Sequence, residues 1–268
     1  MRIAGSRVLV TGAGHGLGLA IATAFARSGA QVVVTDRDPD RVAGAVAQLG
    51  GTACGYALDV TVPDQIAAVR ARLVAEHGPL DILVNNAGAV FGGAFLDVPL
   101  ALHRATVDVN LSGLLAVTHC FLPDLLARPA AHVVNIASAS AVIALPHATT
   151  YAATKWAVLG FTESLQEELR LLKHRHVGVT TVCPGYIATG LFAGAEPGRV
   201  AGWLTPDRVA REVVRAVETG REFVMLPRSL RILYGLAAGL PRGWYKGVCR
   251  VFGASRSMSG WHGHRPAE

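Results

Sequence analysis

Arg7-Val-Leu-Val-Thr-Gly-Ala-Gly-His-Gly-Leu-Gly18 is the stretch on which the reading of the fold turns. A short apolar run ends in glycines. An apolar pattern of helical period follows from Gly16 to Ser28, and Gly29 closes it. Glycines let the backbone turn sharply from strand to helix and let a ligand approach the main chain closely. The helix then offers free N–H groups and its positive dipole end to an anion such as a pyrophosphate. A glycine-rich turn alone is weak evidence. Its place between a strand and a helix, near the start of the chain, makes it much stronger.

Working outward, Gln31-Val-Val-Val-Thr35 is a second buried strand, ending at Asp36. Asp38-Pro39 supplies an N-cap and a proline at the first helical position. Weaker or equal strand signals follow at 52–59, 80–85, 131–137, 177–182 and 222–226. Helical stretches separate them, and Thr205-Pro206 caps one that runs to about Glu218 before Gly220. Near-continuous apolar strands alternating with helices predict a parallel sheet covered on both faces. Right-handed crossovers make this a doubly wound, Rossmann-like α/β fold of seven strands. Residues 1–227 are expected to form the dinucleotide-binding and catalytic domain, with 228–268 as a basic, partly apolar extension.

Composition agrees with one large α/β domain. Of 268 residues, 51% are hydrophobic, enough to bury a sizeable core. The net charge of +6 lies entirely beyond residue 220, because basic and acidic residues balance before it. A basic tail on a neutral body points to an anionic surface and not to nucleic acid, which would want a basic face across the domain. Cys54, Cys120, Cys183 and Cys249 show neither a CxxC pair nor metal-ligand spacing, and no metal is expected. The start runs directly into a strand, without the apolar core of a signal peptide. These features lead to the expectation of a cytoplasmic protein.

Asp36 stands 24 residues after Gly12, where dinucleotide folds place a carboxylate for the adenosine ribose hydroxyls. That carboxylate would repel the 2′-phosphate of NADP, so NAD is expected ahead of NADP. Arg37 and His15 are the residues through which a phosphate would be accommodated instead.

With these features in place, the chain closely resembles the short-chain dehydrogenase/reductase family over about residues 5–227. Gly12, Gly14, His15, Gly16, Leu17 and Gly18 look like its cofactor motif, and Asp59-Val60 like its adenine-contacting pair. Asn85-Asn86-Ala87-Gly88 looks like its fourth-strand signature. Asn110, Ser138, Tyr151 and Lys155 match its catalytic tetrad. Pro184, Gly185, Ile187 and Thr189 match its nicotinamide-side loop, where Thr189 is implied to bond the carboxamide. The resemblance also implies that Asn110 bends its helix and holds a water toward Lys155. Thr154 departs mildly from the serine common before that lysine.

Elementary chemistry reaches the same roles for two of them. Tyr151 and Lys155 are four apart and share a helix face. A lysine cation ~4 Å away would lower a tyrosine pKa of ~10 by roughly 3 units, enough for general acid/base work. Ser138 lies just past the fifth strand, with Ser140 as its competitor for orienting the substrate oxygen.

Leu191, Phe192, Trp203 and Leu204 are expected to form an apolar lid, with Val142, Ile143 and Leu145 as further apolar walls and His147 nearby. Such a pocket favours a steroid-, retinoid- or fatty-chain-like alcohol or ketone. In the tail, Arg242, Lys246 and Arg250 would share one helix face and Trp244, Val248, Val251 and Phe252 the other, which suits peripheral membrane contact or a subunit interface. His262 and His264 make an unpromising metal pair. Family analogy implies a homodimer or homotetramer. The alternatives are an NADPH-dependent ketoacyl or carbonyl reductase, or a non-catalytic dinucleotide-binding scaffold or sensor.

Overall fold

The computed structural model describes residues 1–51, 53–197, 202–239, 241, 243–244, 247, 257–258 and 260–261. Seven strands form one sheet: β1 (Arg7–Thr11), β2 (Gln31–Asp36), β3 (Cys54–Ala57), β4 (Ile82–Asn85), β5 (Ala131–Ile136), β6 (Val177–Pro184) and β7 (Phe223–Leu226). Their order is β3-β2-β1-β4-β5-β6-β7, and every pairing is parallel. The order reverses between β1 and β4, so a crevice opens there at the carboxyl ends of the strands. The helices are α1 (Gly16–Arg27), α2 (Pro39–Leu49), α3 (Pro63–His77), α4 (Leu100–Val107), α5 (Gly113–Leu126), α6 (Thr149–Leu171), α7 (Pro206–Thr219) and α8 (Arg228–Ala238).

Both faces of the sheet are buried, which is why its strands read as unbroken apolar runs. Val8, Val10, Val32 and Val34 pack on one side with Ile21, Phe25 and Val213. Leu9, Val33 and Leu83 pack on the other with Leu73, Val117 and Phe121. Each fully buried aliphatic side chain contributes about 1.5–3 kcal/mol relative to exposure. The expected caps are present. Asp38 accepts from the Asp40 and Arg41 amides, and Thr205 from the Arg208 amide. Each such cap stabilises its helix by about 1 kcal/mol.

Strand ends differ from expectation by one to two residues. The third strand has four residues, like β4 and β7, and Gly50 and Gly51 ahead of it both take positive φ. The run 100–126 is long and apolar enough to cross a membrane by length and composition. Leu114, Val117, Phe121 and Leu125 along it are buried in the core. Of the expected tail helix, Trp244 is 72% exposed, while Arg242, Lys246, Val248, Arg250, Val251 and Phe252 lie outside the described residues, as do His262 and His264.

Candidate active site

The glycine turn is built by contact. A Cβ on Gly18 would fall 2.1 Å from Gly12 O, and one on Gly12 would fall 3.0 Å from Ala87 Cα. Gly12 and Gly16 also hold φ of 62° and 56°, the left-handed region that disfavours side chains. The fourth-strand signature holds this turn in place. Asn86 Nδ2 donates to Thr11 O at 2.9 Å and to Gly12 O at 3.2 Å. The amides of Asn86 and Ala87 both donate to Thr11 Oγ1, at 2.9 and 3.0 Å. Thr11 opens the expected cofactor motif, but the sequence assigns its side chain no role. Its place at the first strand's end was visible, but its contact with β4 was not. Asn85 turns inward instead, donating to Thr118 Oγ1 and Asn135 Oδ1 at 2.8 Å.

Unlike α2 and α7, helix α1 has no side-chain cap and no acid in its first turn. Its leading amides face the cleft past Gly12, His15, Gly16, Leu17 and Gly18. A space kept clear of Cβ atoms and edged by uncapped N–H donors fits a pyrophosphate.

Asp36 is 5% exposed at the end of β2. Its Oδ2 accepts from the Gly14 amide and its Oδ1 from the Asp38 amide, both at 3.2 Å. Burial works to raise its pKa, but the His15 ring 3.7 Å away and the two amides outweigh it and hold the carboxyl below its ordinary range. Gly14 is required here, since its Cβ would fall 2.9 Å from Asp36 Oδ2. Arg41 Nη1 lies 3.3 Å from His15 Nε2, stacking a second cation source beside Asp36 that sequence reading passed over. Arg37 is exposed. Asp59 Oδ1 accepts from the Thr61 amide and hydroxyl ahead of α3, and Val60 packs against Gly113. Asp59 and Val60 thus sit at the start of α3 and against α5, whereas Gly14 and Asp36 meet within the glycine turn that edges the cleft.

The other end of the cleft gathers Asn86, Ala87, Gly88, Ser138, Tyr151, Lys155, Pro184, Gly185, Ile187 and Thr189. Ser138 caps the short turn 139–141, its Oγ accepting from the Ser140 amide at 3.1 Å, and it lines the cleft beside Tyr151. Ser140 does not line the cleft, so geometry separates the two serines. Lys155 is 4% exposed and donates to Ile136 O at 2.9 Å, with its Nζ 5.6 Å from the Tyr151 ring centroid. The expected lowering of the Tyr151 pKa is not found. Burial pushes Tyr151 up to about 12, with the Ser138 side chain as a smaller pull downward. Burial also brings Lys155 down to about 8. Desolvation disfavours both charged forms, and the lysine points at a carbonyl instead of the phenol.

Asn110 sits in a π-helical turn, Asp108–Ser112, between α4 and α5. Its side chain is fully engaged. Oδ1 accepts from Ala89 N at 2.7 Å, and Nδ2 donates to Ala89 O at 2.9 Å and Thr154 Oγ1 at 3.1 Å. Thr154 in turn donates to Tyr151 O at 2.7 Å. The side chain therefore pins the loop after β4 to α6. Thr154 in place of serine serves as one of its anchors.

Beyond Gly185, whose amide donates to Leu226 O, the chain bridges Ile187 to Leu204. Leu191 and Phe192 line the cleft, and Phe192 meets the Tyr151 ring edge-on at 5.8 Å. Leu204 is core and Trp203 is 48% exposed. Val142 and Ile143 are also core, packed beneath Val158 and Leu159, and not cleft walls. Leu145 packs beside Tyr151. His147 holds a positive φ of 63°, and its carbonyl accepts from the Gly93 amide.

Residues 6–199 match the family described as short chain dehydrogenase. Epidermal retinol dehydrogenase 2 of Mus musculus is 34% identical over 245 residues, covering 89% of this chain and 79% of that one. Estradiol 17-beta-dehydrogenase 11 of Macaca fascicularis is 30% identical, covering 89% and 80%. Probable oxidoreductase EphD of Mycobacterium tuberculosis is 35% identical over 88% of this chain, which spans only 43% of that longer protein. Among solved structures, a short chain dehydrogenase/reductase from Burkholderia phymatum in complex with NAD superimposes with a TM-score of 0.80 at 26% identity, covering 89% and 94%. A 3-ketoacyl-(acyl-carrier-protein) reductase from Brucella melitensis complexed with NADH gives 0.78 at 27% identity, covering 85% and 99%. With the parallel sheet, the glycine turn and the Ser138–Tyr151–Lys155 grouping, these likenesses establish that the chain belongs to the short-chain dehydrogenase/reductase family.

Proposed function

We propose that the protein interconverts a secondary alcohol and its ketone, or the related aldehyde, on a lipophilic substrate with NAD(H). The observation that carries this is the meeting of Ser138, Tyr151 and Lys155 at one end of a cleft whose other end is the glycine turn. A nicotinamide dinucleotide, when bound, supplies the hydride acceptor or donor. Gly12 to Gly18 would hold its pyrophosphate, and Ile187 and Thr189 its nicotinamide side.

Tyr151 Oη holds the proton that moves. A phenol raised to about 12 is protonated through the neutral range, so the proton for a carbonyl oxygen is in place there, while the phenolate that accepts from an alcohol grows as pH rises. Ser138 Oγ orients the same oxygen. Lys155 gives one N–H to Ile136 O and has further N–H donors for a ribose hydroxyl, and its cation, drawn closer to Tyr151, would lower the phenol pKa. Asn110 keeps the floor beneath them fixed.

NAD is favoured over NADP because Asp36 is held as an anion. The apolar Leu191 and Phe192, and the retinol and estradiol dehydrogenases among the relatives, support a lipophilic substrate. Assembly into a homodimer through α5 and α6 is supported by Leu115 and Trp156, 38% and 49% exposed on those helices. One observation favours a second reading, an NADPH-dependent ketoacyl or carbonyl reductase: Arg41 and His15 stand beside Asp36 and could meet a phosphate.

Fluorescence titration with NADH and NADPH separates the two. The wild type should prefer NADH. Asp36→Ala should lose about 1.5–3 kcal/mol of NADH binding, the range for bonds to a charged group, and gain on NADPH. A wild-type preference for NADPH would overturn the NAD reading and assign the phosphate to Arg41, His15 and Arg37.

A further inference from the structure

Ser257, Met258, Gly260 and Trp261, from the far end of the chain, lie against the substrate side of the cleft. Tyr186 Oη donates to Ser257 Oγ at 2.7 Å, and the Glu196 amide donates to Ser257 O at 2.8 Å. Trp261 Nε1 donates to Leu191 O at 3.0 Å. The Trp261 ring also covers Gly92 in the loop after β4, where a Cβ would fall 2.7 Å from Trp261 Cε3. Met258 is 2% exposed and packs in one cluster with Val90, Tyr151 and Phe192.

Each contact touches the loop after β6, the loop after β4, or the tyrosine that holds the proton. Phe192 stands edge-on to Tyr151, and both share one apolar cluster with Met258, so apolar side chains pack around the Tyr151 ring. A slender substrate displaces fewer of them than a bulky one. A bulky one needs the 186–197 loop to swing out, and that breaks the Trp261–Leu191 bond.

We propose that Met258 and Trp261 are specificity-determining residues: Met258 backs the apolar cluster that holds Tyr151, and Trp261 latches the loop after β6, so that among lipophilic alcohols and ketones the bulky, rigid ones are disfavoured against slender ones. This rests on the oxidoreductase reading above. The cost to a bulky substrate is the cost of opening, because a ligand that binds only the open form is weakened by the fraction of molecules that are open. A free energy of opening that the latch supplies is therefore removed with it.

The experiment compares kcat/KM for 2-butanol and for a rigid steroid secondary alcohol, with NAD, in the wild type, Trp261→Ala, Gly92→Ala and Trp261→Phe. The steroid-to-butanol ratio should rise about tenfold in Trp261→Ala and Gly92→Ala, and less in Trp261→Phe, which keeps a ring but no N–H donor. NADH affinity should stay within about twofold, since none of these residues lines the dinucleotide cleft. An unchanged ratio overturns the proposal. Hydrogen exchange without substrate is read on the same proteins. The Glu196 amide should exchange about tenfold faster in Trp261→Ala, while amides of β1 and β4 stay protected. Unchanged exchange at Glu196 overturns the latch. Lost protection in the strands as well would make the segment a folding element and would also overturn it. If the wild type turns over no alcohol or ketone at all, the oxidoreductase substrate reading fails, and exchange alone decides the latch.

Discussion

The two ends of the cleft are built by different physics. At the dinucleotide end, backbone atoms and hydrogen bonds set every distance. Gly18 has no room for a Cβ against Gly12 O, Thr11 Oγ1 takes two amides, and Asp36 takes two more. At the substrate end, apolar side chains fill space against one another. Val90, Tyr151, Phe192 and Met258 form one apolar cluster, with hydrogen bonds confined to its margin. Hydrogen-bond geometry tolerates little displacement, whereas an apolar cluster can repack at modest cost. The first end should therefore be brittle and uniform in its ligand, and the second adaptable. Tyr151 belongs to both, lining the cleft and the apolar cluster.

The largest expected effect tests that shared residue. Tyr151→Phe keeps the ring and its packing but removes the proton, so kcat should fall about 10²–10⁴-fold while NADH binding changes little. In the wild type the sign of the pH dependence follows from the raised phenol pKa. Ketone reduction should be flat through neutrality, and alcohol oxidation should climb with pH as the phenolate fraction grows. A steady-state profile in which oxidation falls with pH would break the assignment.

Gly18→Ala probes the brittle end. Its Cβ cannot avoid Gly12 O at 2.1 Å, so the turn must shift. We expect about 1–3 kcal/mol of lost stability by denaturant unfolding and loss of measurable NADH binding. Full binding would show that the turn is as adaptable as the substrate end.

His132 sharpens the comparison from outside it, since it sits at the start of β5, remote from the strand ends that form the cleft. Thr180 donates its hydroxyl proton to Arg221 O, so His132 Nε2 must be the donor in its 2.7 Å bond to Thr180 Oγ1. Burial lowers its pKa to about 4, and its unfolded value is about 6.5. A lowered histidine contributes stability that is whole above about pH 6.5 and declines as pH falls toward 4, a loss of about 3 kcal/mol. Unfolding free energies of the wild type and His132→Gln across that window check it. A wild-type curve no steeper than the variant's would refute the linkage.

The smallest effect is a gain. Gly44 lies exposed within α2, with open space where a Cβ would stand. Gly44→Ala should add about 0.5–1 kcal/mol of stability by thermal unfolding and leave NADH affinity alone, because it touches neither end.

The primary sequence by itself determined the doubly wound sheet, the glycine turn, the acidic end of β2 and the grouping of Ser138, Tyr151 and Lys155. These are local or short-period features. Apolar runs of strand length, glycines with forced backbone geometry, N-caps at Asp38 and Thr205 and a four-residue helix spacing are each set by neighbours in the chain. Only the tertiary structure decided what lay between distant segments. It placed Lys155 on Ile136 O and not on the phenol, spent the Asn110 side chain on Ala89 and Thr154, put Val142 and Ile143 in the core, and set Arg41 beside His15. It also brought Met258 and Trp261 to the substrate pocket. No residue pattern announces such meetings, because apolar contact and burial act between any segments that the fold brings together, whatever their separation along the chain.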